Sequence, residues 1–354
     1  MNSKVFKRNN LKVIPLGGVE EIGFNTTIFE YDNQIFLIDF GLGFPNGDLY
    51  GIDFLIPNLD YLKKNKEKIK AIIVTHGHLD HIGGLPYAIK ALGNIPIFST
   101  AFTIEMIKNH FSGRSFKYDN LHSIKDDSVL KFGNSSFEFF HINHSIPQSV
   151  GVVFKSPQGN IIHTGDFKFD NSPLLEPPSD YGRIAKFGNE GVLALLSDST
   201  NSFKSGHSKS EQQIRDSLFR IIESAKGRVI ISSFASLVGR IIQLIDIASV
   251  LNRRVAVAGR SMVNNMEVAK KFGYIKGPQK DFYPLKQIET LPDNKVMVLA
   301  TGSQGEEMAA LSRIIKGKHP DLSIKKGDTI ILSSSIIPGN EIYVQNLLDE
   351  LSQQ

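Results

Sequence analysis

Apolar positions change their spacing along the chain, and the change divides it in two. In the first half, short runs rich in β-branched and aromatic residues read as strands at Lys12–Leu16, Asn25–Phe29, Gln34–Asp39, Ala71–Thr75, Ile95–Phe98, Ser136–His141, Gly151–Lys155 and Asn160–His163. The tracts LGG, YDN, GLGFPNGD and SPQGN punctuate them as turns. Helices fit Leu59–Asn65, Leu85–Leu92 and Thr103–Asn109, the first opened by Asp60 and the second by GLP. This order predicts an α/β domain, a mixed sheet with helices laid on its outer face.

Asn171–Gly182 is loop-like, and Val192–Leu196 reads as a buried strand ending in SDST. From Ser208 the pattern becomes helix, apolar strand, helix, apolar strand. Ser210 is placed to cap a helix whose Leu218, Ile221 and Ile222 keep a three-to-four spacing up to Gly227. RVIISSF, RRVAVAG, KVMVLATG and DTIILSSS are continuous apolar runs, the mark of parallel strands covered on both faces. With 354 residues the expectation is two domains, 1–207 and 208–354.

Composition narrows the chemistry. There is no cysteine, so disulfides, thiolate nucleophiles and cysteine-based zinc sites are excluded, and a transition metal must be held by histidine and carboxylate. No apolar run reaches the ~20 residues of a membrane span. The basic start MNSKVFKRNN is followed by a stretch too short and glycine-rich for a signal-peptide core, so a cytoplasmic location is expected. A net charge of +4 leans weakly towards a polyanionic partner, while the lysine cluster at Lys63–Lys70 reads as a solvated helix face.

The stretch AIIVTHGHLDHIGG, Ala71–Gly84, concentrates ligand-type residues where a strand ends. In open α/β folds ligands gather at carboxyl strand ends. Gly77, Gly83 and Gly84 permit tight turns, so a curled loop can turn His76, His78, Asp80 and His81 towards one centre. Three imidazoles and a carboxylate suit zinc above all, and manganese also. The competing reading is a histidine cluster without metal; four ligand-type residues at H-x-H-x-D-H spacing argue against it. Other strand ends must contribute. His141 and His144 face opposite ways in an extended strand, and His144, nearer the strand end, is the ligand candidate; His141 reads as structural. Asp166, after a TG turn, suits a carboxylate bridging two cations, against the alternative of a turn aspartate.

HGHLDH, the later His144 and the TGD aspartate resemble the metallo-β-lactamase superfamily. The second half sharpens the likeness. LLSDSTN (Leu195–Asn201), ISSFAS (Ile231–Ser236), GRSMVNN (Gly259–Asn265), TGSQGEEMAALSRI (Thr301–Ile314) and ILSSSIIPGNE (Ile331–Glu341) resemble the β-CASP nucleases of the ribonuclease J family. LGGVEEIG (Leu16–Gly23), IDFGLGFP (Ile38–Pro45) and LYGIDFLIP (Leu49–Pro57) do so too. The similarity spans nearly the whole chain. It implies a metallo-β-lactamase αββα-type domain lacking its C-terminal strands, joined to a β-CASP α/β domain with a mainly parallel sheet.

The resemblance also implies roles. One zinc would take His76, His78 and His144, and a second Asp80 and His81, with Asp166 bridging. Asp198 matches the first β-CASP motif and would act in acid/base or metal-orienting work together with Asp80, against the plainer reading of a turn-capping carboxylate. Ser233, Phe234, Ala235, Ser236, Leu237 and Val238 would line a cleft between domains that recognises the 5′ monophosphate of RNA, and Ser333–Ser335 would line it as well. Relatives commonly carry asparagine and histidine where this chain has Leu237 and Gly239, so side-chain contacts are lost there. The turn at Gly51 and Asp53 resembles a secondary calcium-like site.

The family pattern continues past this sequence with a catalytic SGH-type histidine, a further metal-binding histidine, strands that return to the first domain, and a C-terminal domain. His207 and His319, the only histidines after Asp166, lie in polar loops and do not replace them. The expectation is a second metal site short of one ligand and an uncovered sheet edge in the first domain. Three functions compete. The first is a ribonuclease cleaving 5′-to-3′ and internally in rRNA maturation and mRNA decay. The second is a truncated, weakly active RNA-binding subunit that assembles with a complete relative or with itself. The third is a generic ester or thioester hydrolase, which leaves the second half unexplained.

Overall fold

The computed structural model describes residues 10–45, 51–112, 117–275, 282–337 and 339–353. The chain forms two compact units, one of residues up to Asp170 with Glu176–Ser208, the other of Asn171–Leu175 with Lys209 onward.

In the first unit, six strands lie side by side in chain order: β1 (Lys12–Gly17), β2 (Thr26–Tyr31), β3 (Gln34–Ile38), β4 (Ile69–Ile73), β5 (Ile97–Thr100) and β6 (Leu121–Ile124). The first three are antiparallel, and β3 to β6 run parallel. A second sheet holds β7 (Val129–Phe132), β8 (Ser135–His141), β9 (Val150–Ser156), β10 (Gly159–His163) and β11 (Ala194–Leu196) in the order β11-β10-β9-β8-β7. Only its β10–β11 pair is parallel.

Period-two alternation assigns the faces. Phe137, Phe139, Val152 and Phe154 turn towards Phe29, Phe36, Ile38 and Ile73 of the first sheet. The rings of Phe36 and Phe154 approach Phe137 with centroids 5.1 and 4.9 Å apart, spacings that favour tilted aromatic contact. The intervening Phe140 and Val153 point the other way and meet Phe187 of helix α5 (Tyr181–Asn189). Helices α1 (Asp60–Lys64), α2 (Leu79–Ile82), α3 (Leu85–Leu92) and α4 (Ala101–Phe111) fall between strands of the first sheet, and α4 packs on β5 and β6.

The buried strand expected at Val192–Leu196 is corrected. Its strand is only Ala194–Leu196, it is an edge, and Leu193 and Leu195 are 60% and 62% exposed. Ala194 and Leu196 face the core while Leu195 faces out, so an apolar run here covers one side only.

The second unit carries a four-stranded parallel sheet, order β13-β14-β12-β15, from β12 (Val229–Ser232), β13 (Arg254–Ala258), β14 (Val296–Ala300) and β15 (Thr329–Leu332). Helices α6 (Glu211–Ser224), α7 (Val238–Val250) and α8 (Arg260–Lys271) cover one face, where Leu218, Leu244 and Met262 meet Val229, Ile231 and Leu299. Helices α9 (Ala310–Ile315) and α10 (Glu341–Ser352) cover the other, where Leu311, Ile314 and Leu347 meet Ile230 and Val298. Ser210 closes a reciprocal capping box with Gln213 at the start of α6. Arg228, buried just before β12, donates Nε and Nη2 to the two oxygens of Asp328 at 2.8 and 2.6 Å.

Candidate metal centre

The centre is built on the end of β4. Thr75 fixes that end: its backbone N–H and Oγ1 donate to the two oxygens of Asp39 at 2.7 and 2.9 Å, and its carbonyl accepts from Val150 N–H of the second sheet. The chain then turns through His78, which has extended backbone at the N-cap of α2, so Asp80 and His81 fall on the first turn of a helix. The glycines serve a different need from the one the sequence suggests. Gly83 and Gly84 have helical φ values of −66° and −81°, and their value is space. An added Cβ at Gly83 would meet Leu42 at 2.4 Å, one at Gly84 the Gly41 carbonyl at 2.6 Å, and one at Gly77 Met106 at 3.0 Å.

Three separated segments converge. His76 Nε2 and His144 Nε2 each stand 3.1 Å from His78 Nδ1. Asp166 Oδ2 lies 4.0 Å from His76 Nε2 and 3.8 Å from His144 Nε2. The other oxygen, Oδ1, lies 3.3 Å from His81 Nε2, which is 3.5 Å from Asp80 Oδ2. The ligand-type atoms thus form two groups, His76–His78–His144–Asp166 and Asp80–His81–Asp166, which share Asp166. Donors of a tetrahedral zinc at about 2.0–2.1 Å stand about 3.3–3.4 Å apart, so this donor set fits such an ion in spacing as well as in chemistry.

The charges keep the lone pairs of His76 and His144 available and treat His81 differently. Burial, reinforced by the neighbouring His81, His78 and His144, holds His76 well below the ordinary histidine range. Burial and His78 push His144 down to about 3. His81 goes the other way: against burial, Asp166, Asp80 and Asp39 hold it well above the ordinary value. Asp166 is held well below the carboxylate range, its burial outweighed by His81, His76 and His144.

Three supporting residues have no marked signal in the sequence. Asp39 Oδ2 takes His81 Nδ1 at 2.8 Å, which turns Nε2 inward, and Thr75 Oγ1 sits 3.0 Å from His76 Nδ1 in the same role. Asn25 Nδ2 donates to Asp80 Oδ2 at 3.1 Å and lies 3.0 Å from His81 Nε2. The left-handed φ of 60° at Asp39 aims its carboxylate across to β4, a position only strand pairing reveals. His141, by contrast, is engaged with the Pro177 carbonyl at 3.0 Å.

The remaining candidates lie elsewhere. Asp198 Oδ1 accepts from Thr200 N–H and Oγ1 at 2.9 and 2.7 Å, and Oδ2 faces Phe167 N–H at 3.5 Å; it joins neither ligand group. Ser233–Leu237 form the turn between β12 and α7. Ser233 is buried, with its N–H on the Ala300 carbonyl, and Val238 is buried at the start of α7. Phe234 and Ser236 are half-buried. Gly51 (φ 82°) and Asp53 are exposed, and neither belongs to a ligand group among the described residues. Leu49, Tyr50 and Pro338 of the motifs quoted above lie outside the described residues.

Comparison with known proteins agrees with this geometry. The family profile described as metallo-beta-lactamase superfamily matches residues 23–230, and that of ribonuclease J, beta-CASP domain, matches residues 226–351. Ribonuclease J of Synechocystis sp. is 41% identical over 97% of this chain and 54% of its own length. Ribonuclease J 1 of Streptococcus pyogenes is 41% identical over 100% of this chain and 63% of its own length. Ribonuclease J2 of Bacillus subtilis is 40% identical over 97% and 62%. The chain therefore spans between 54% and 63% of these curated relatives. A crystal structure of a protein of unknown function from Enterococcus faecalis V583 shares the fold, with a TM-score of 0.58, 16% identity, and coverage of 82% of this chain and 76% of that one. By its profile matches and its relatives, the chain belongs to the metallo-β-lactamase superfamily, on the ribonuclease J branch of β-CASP proteins.

Proposed function

We propose that this chain is a metal-dependent ribonuclease whose two histidine–carboxylate groups hold two zinc ions, or manganese in their place. The observation that carries this reading is the convergence of His76, His78, Asp80, His81, His144 and Asp166 on two groups sharing one carboxylate. Bound there, such a pair supplies Lewis-acid stabilisation of a phosphodiester and a water acidic enough to be deprotonated near neutral pH. The chain's own residues prepare the site. Asp39 and Thr75 fix the tautomers of His81 and His76, so that Nε2 of each is the free donor. Asn25 holds Asp80 in place. Asp198 keeps Oδ1 in its own turn while Oδ2 is only weakly engaged, and this oxygen is our choice for moving a proton during cleavage.

The finer reading is 5′-to-3′ exonuclease with endonuclease action on RNA bearing a 5′ monophosphate, in rRNA maturation and mRNA decay in the cytoplasm. The turn Ser233–Ser236, with its backbone amides and hydroxyls, is the part of the second unit suited to the terminal phosphate. No helix among the described residues is long and apolar enough to cross a membrane. The test is incubation of the metal-loaded chain with 5′-monophosphorylated RNA. Stepwise release of mononucleotides by the wild type, absent from Asp166→Ala, supports the assignment; no cleavage by a chain holding two metals contradicts it.

A second reading has its own observation. Leu195 on edge strand β11 and Leu193 just before it stand exposed, an apolar edge suited to a partner chain. In that reading the chain is a weakly active RNA-binding subunit that joins a complete relative or a second copy. One bound zinc, no cleavage alone, and co-elution with the relative would favour it.

A further inference from the structure

The nuclease reading places RNA at the Ser233–Ser236 turn and the histidine centre, yet the second unit has another polar concavity. At the carboxyl ends of β13 and β14 lies a cavity of about 770 Å³, lined by Arg260, Ser261, Thr301, Glu306, Arg313 and His319 among others. Its floor depends on two close backbone approaches. Gly259 (φ 139°) has Thr301 2.7 Å from where a Cβ would stand, and Gly302 (φ 107°) has Ala309 at the same distance. Side chains at either position would fill the space between the two loops.

Its charges are distributed in an unusual way for this molecule. Three structural arginines of the second unit are engaged: Arg228 with Asp328, Arg240 with Glu211 at 3.0 Å, and buried Arg253 with the carbonyls of Gly227, Val296 and Ala225. Among the described residues neither Arg260 nor Arg313 makes an ion pair, the Arg260 guanidinium has no hydrogen bond, and that of Arg313 donates only to the Lys318 carbonyl at 3.4 Å. Glu306 is the one carboxylate in the lining, and its Oε2 is engaged by the Gln304 N–H at 3.2 Å. The twelve-residue helix α8 starts in the wall at Arg260 with no side-chain cap, which leaves its first N–H groups open to an acceptor. A guanidinium is suited to phosphate oxygens by its planar fork, and two of them with a hydroxyl and a histidine form a donor-rich, anion-accepting wall.

We infer that this cavity is a phosphodiester subsite, in which Arg260 and Arg313 hold the backbone of a single-stranded RNA. The inference rests on the nuclease reading for the identity of the strand and on the unpaired guanidiniums for the place. Contacts of this kind position a strand without reading its bases, so they add affinity at a cost in salt sensitivity.

The experiment uses the metal-loaded full chain and a fluorescein-labelled, nuclease-resistant phosphorothioate RNA, with anisotropy measured across a potassium chloride series. Arg260→Ala/Arg313→Ala should weaken binding by about tenfold or more at moderate salt and flatten the log–log salt slope by about 1.4, the share of two phosphate contacts on a single strand. The Arg260→Lys/Arg313→Lys protein should recover most of the slope, and thermal unfolding should be unchanged in both. A wild type that binds RNA, with affinity and slope unaltered in the double alanine protein, overturns the subsite and leaves the nuclease reading standing. A wild type with no RNA affinity overturns both.

Discussion

At the carboxyl end of β4, nearly every polar group meets another polar group of the protein. Thr75 meets Asp39, Asp39 meets His81, and the imidazoles meet one another and Asp166. At the carboxyl ends of the second unit's strands the opposite holds. Among the described residues, the buried hydroxyls of Ser232, Ser233, Ser303 and Ser334 have no hydrogen-bond partner, and Arg260 and Arg313 are paired with no carboxylate. Both units follow the rule that open sheets present ligand-handling residues at carboxyl strand ends. They apply it with opposite sign. The first unit gathers lone pairs and carboxylates, the chemistry that holds cations; the second gathers N–H and O–H donors, the chemistry that holds anions.

Substitutions can break or sharpen this contrast. The largest effect belongs to Asp166→Ala, because that side chain is shared by both ligand groups: zinc content should fall at both sites and cleavage to background. Asp80→Ala should cost metal at one site only, as metal analysis by plasma mass spectrometry would show. Next is Arg228→Ala, which strands the buried Asp328 carboxylate and should destabilise the second unit by about 3–5 kcal/mol in denaturant unfolding. Arg260→Ala, on an exposed and unpaired side chain, should stay within about 0.5 kcal/mol. If the two cost the same, the distinction between structural and ligand-facing arginines fails.

Asp39→Asn keeps the shape but weakens the hold on His81 Nδ1. Zinc affinity should drop about 10–100-fold, and the loss should fall on the Asp80–His81–Asp166 group. Competition with a chromophoric chelator would reveal it as a change in the second equivalent alone. The smallest pair compares partnered and unpartnered hydroxyls. Thr75→Val removes a hydroxyl that donates to a buried carboxylate and should cost about 1–3 kcal/mol. Ser232→Ala removes one with no partner and should be neutral within about 0.5 kcal/mol, or stabilising.

What the sequence disclosed follows from how far apart the interacting residues lie. His76, His78, Asp80 and His81 fall within six positions, so spacing alone reveals them. The strands of the second unit were legible because a covered parallel strand is apolar throughout. Asp39 was not, because its role arises from the pairing of β3 with β4 and a backbone turned to positive φ, 42 residues from the histidine it holds. Arg228 has no local signal either, because its partner is 100 residues on. The run at Val192–Leu196 misled for a complementary reason: an apolar segment shows affinity for a core, and nothing in it shows that one side of the sheet ends there. The short β6 and β7, four residues each with at most one buried side chain, and α5, with one buried side chain, carry too little pattern to be seen.

Counting zinc on the intact chain by native mass spectrometry, after chelation and stepwise readdition, tests the central claim most directly. Two ions should bind to the wild type, the first more tightly because its group offers four donors and the other three. His144→Ala should weaken the tighter step, and His81→Ala should abolish the weaker one. A stoichiometry and a pair of affinities identical in wild type, His144→Ala and His81→Ala would contradict the account.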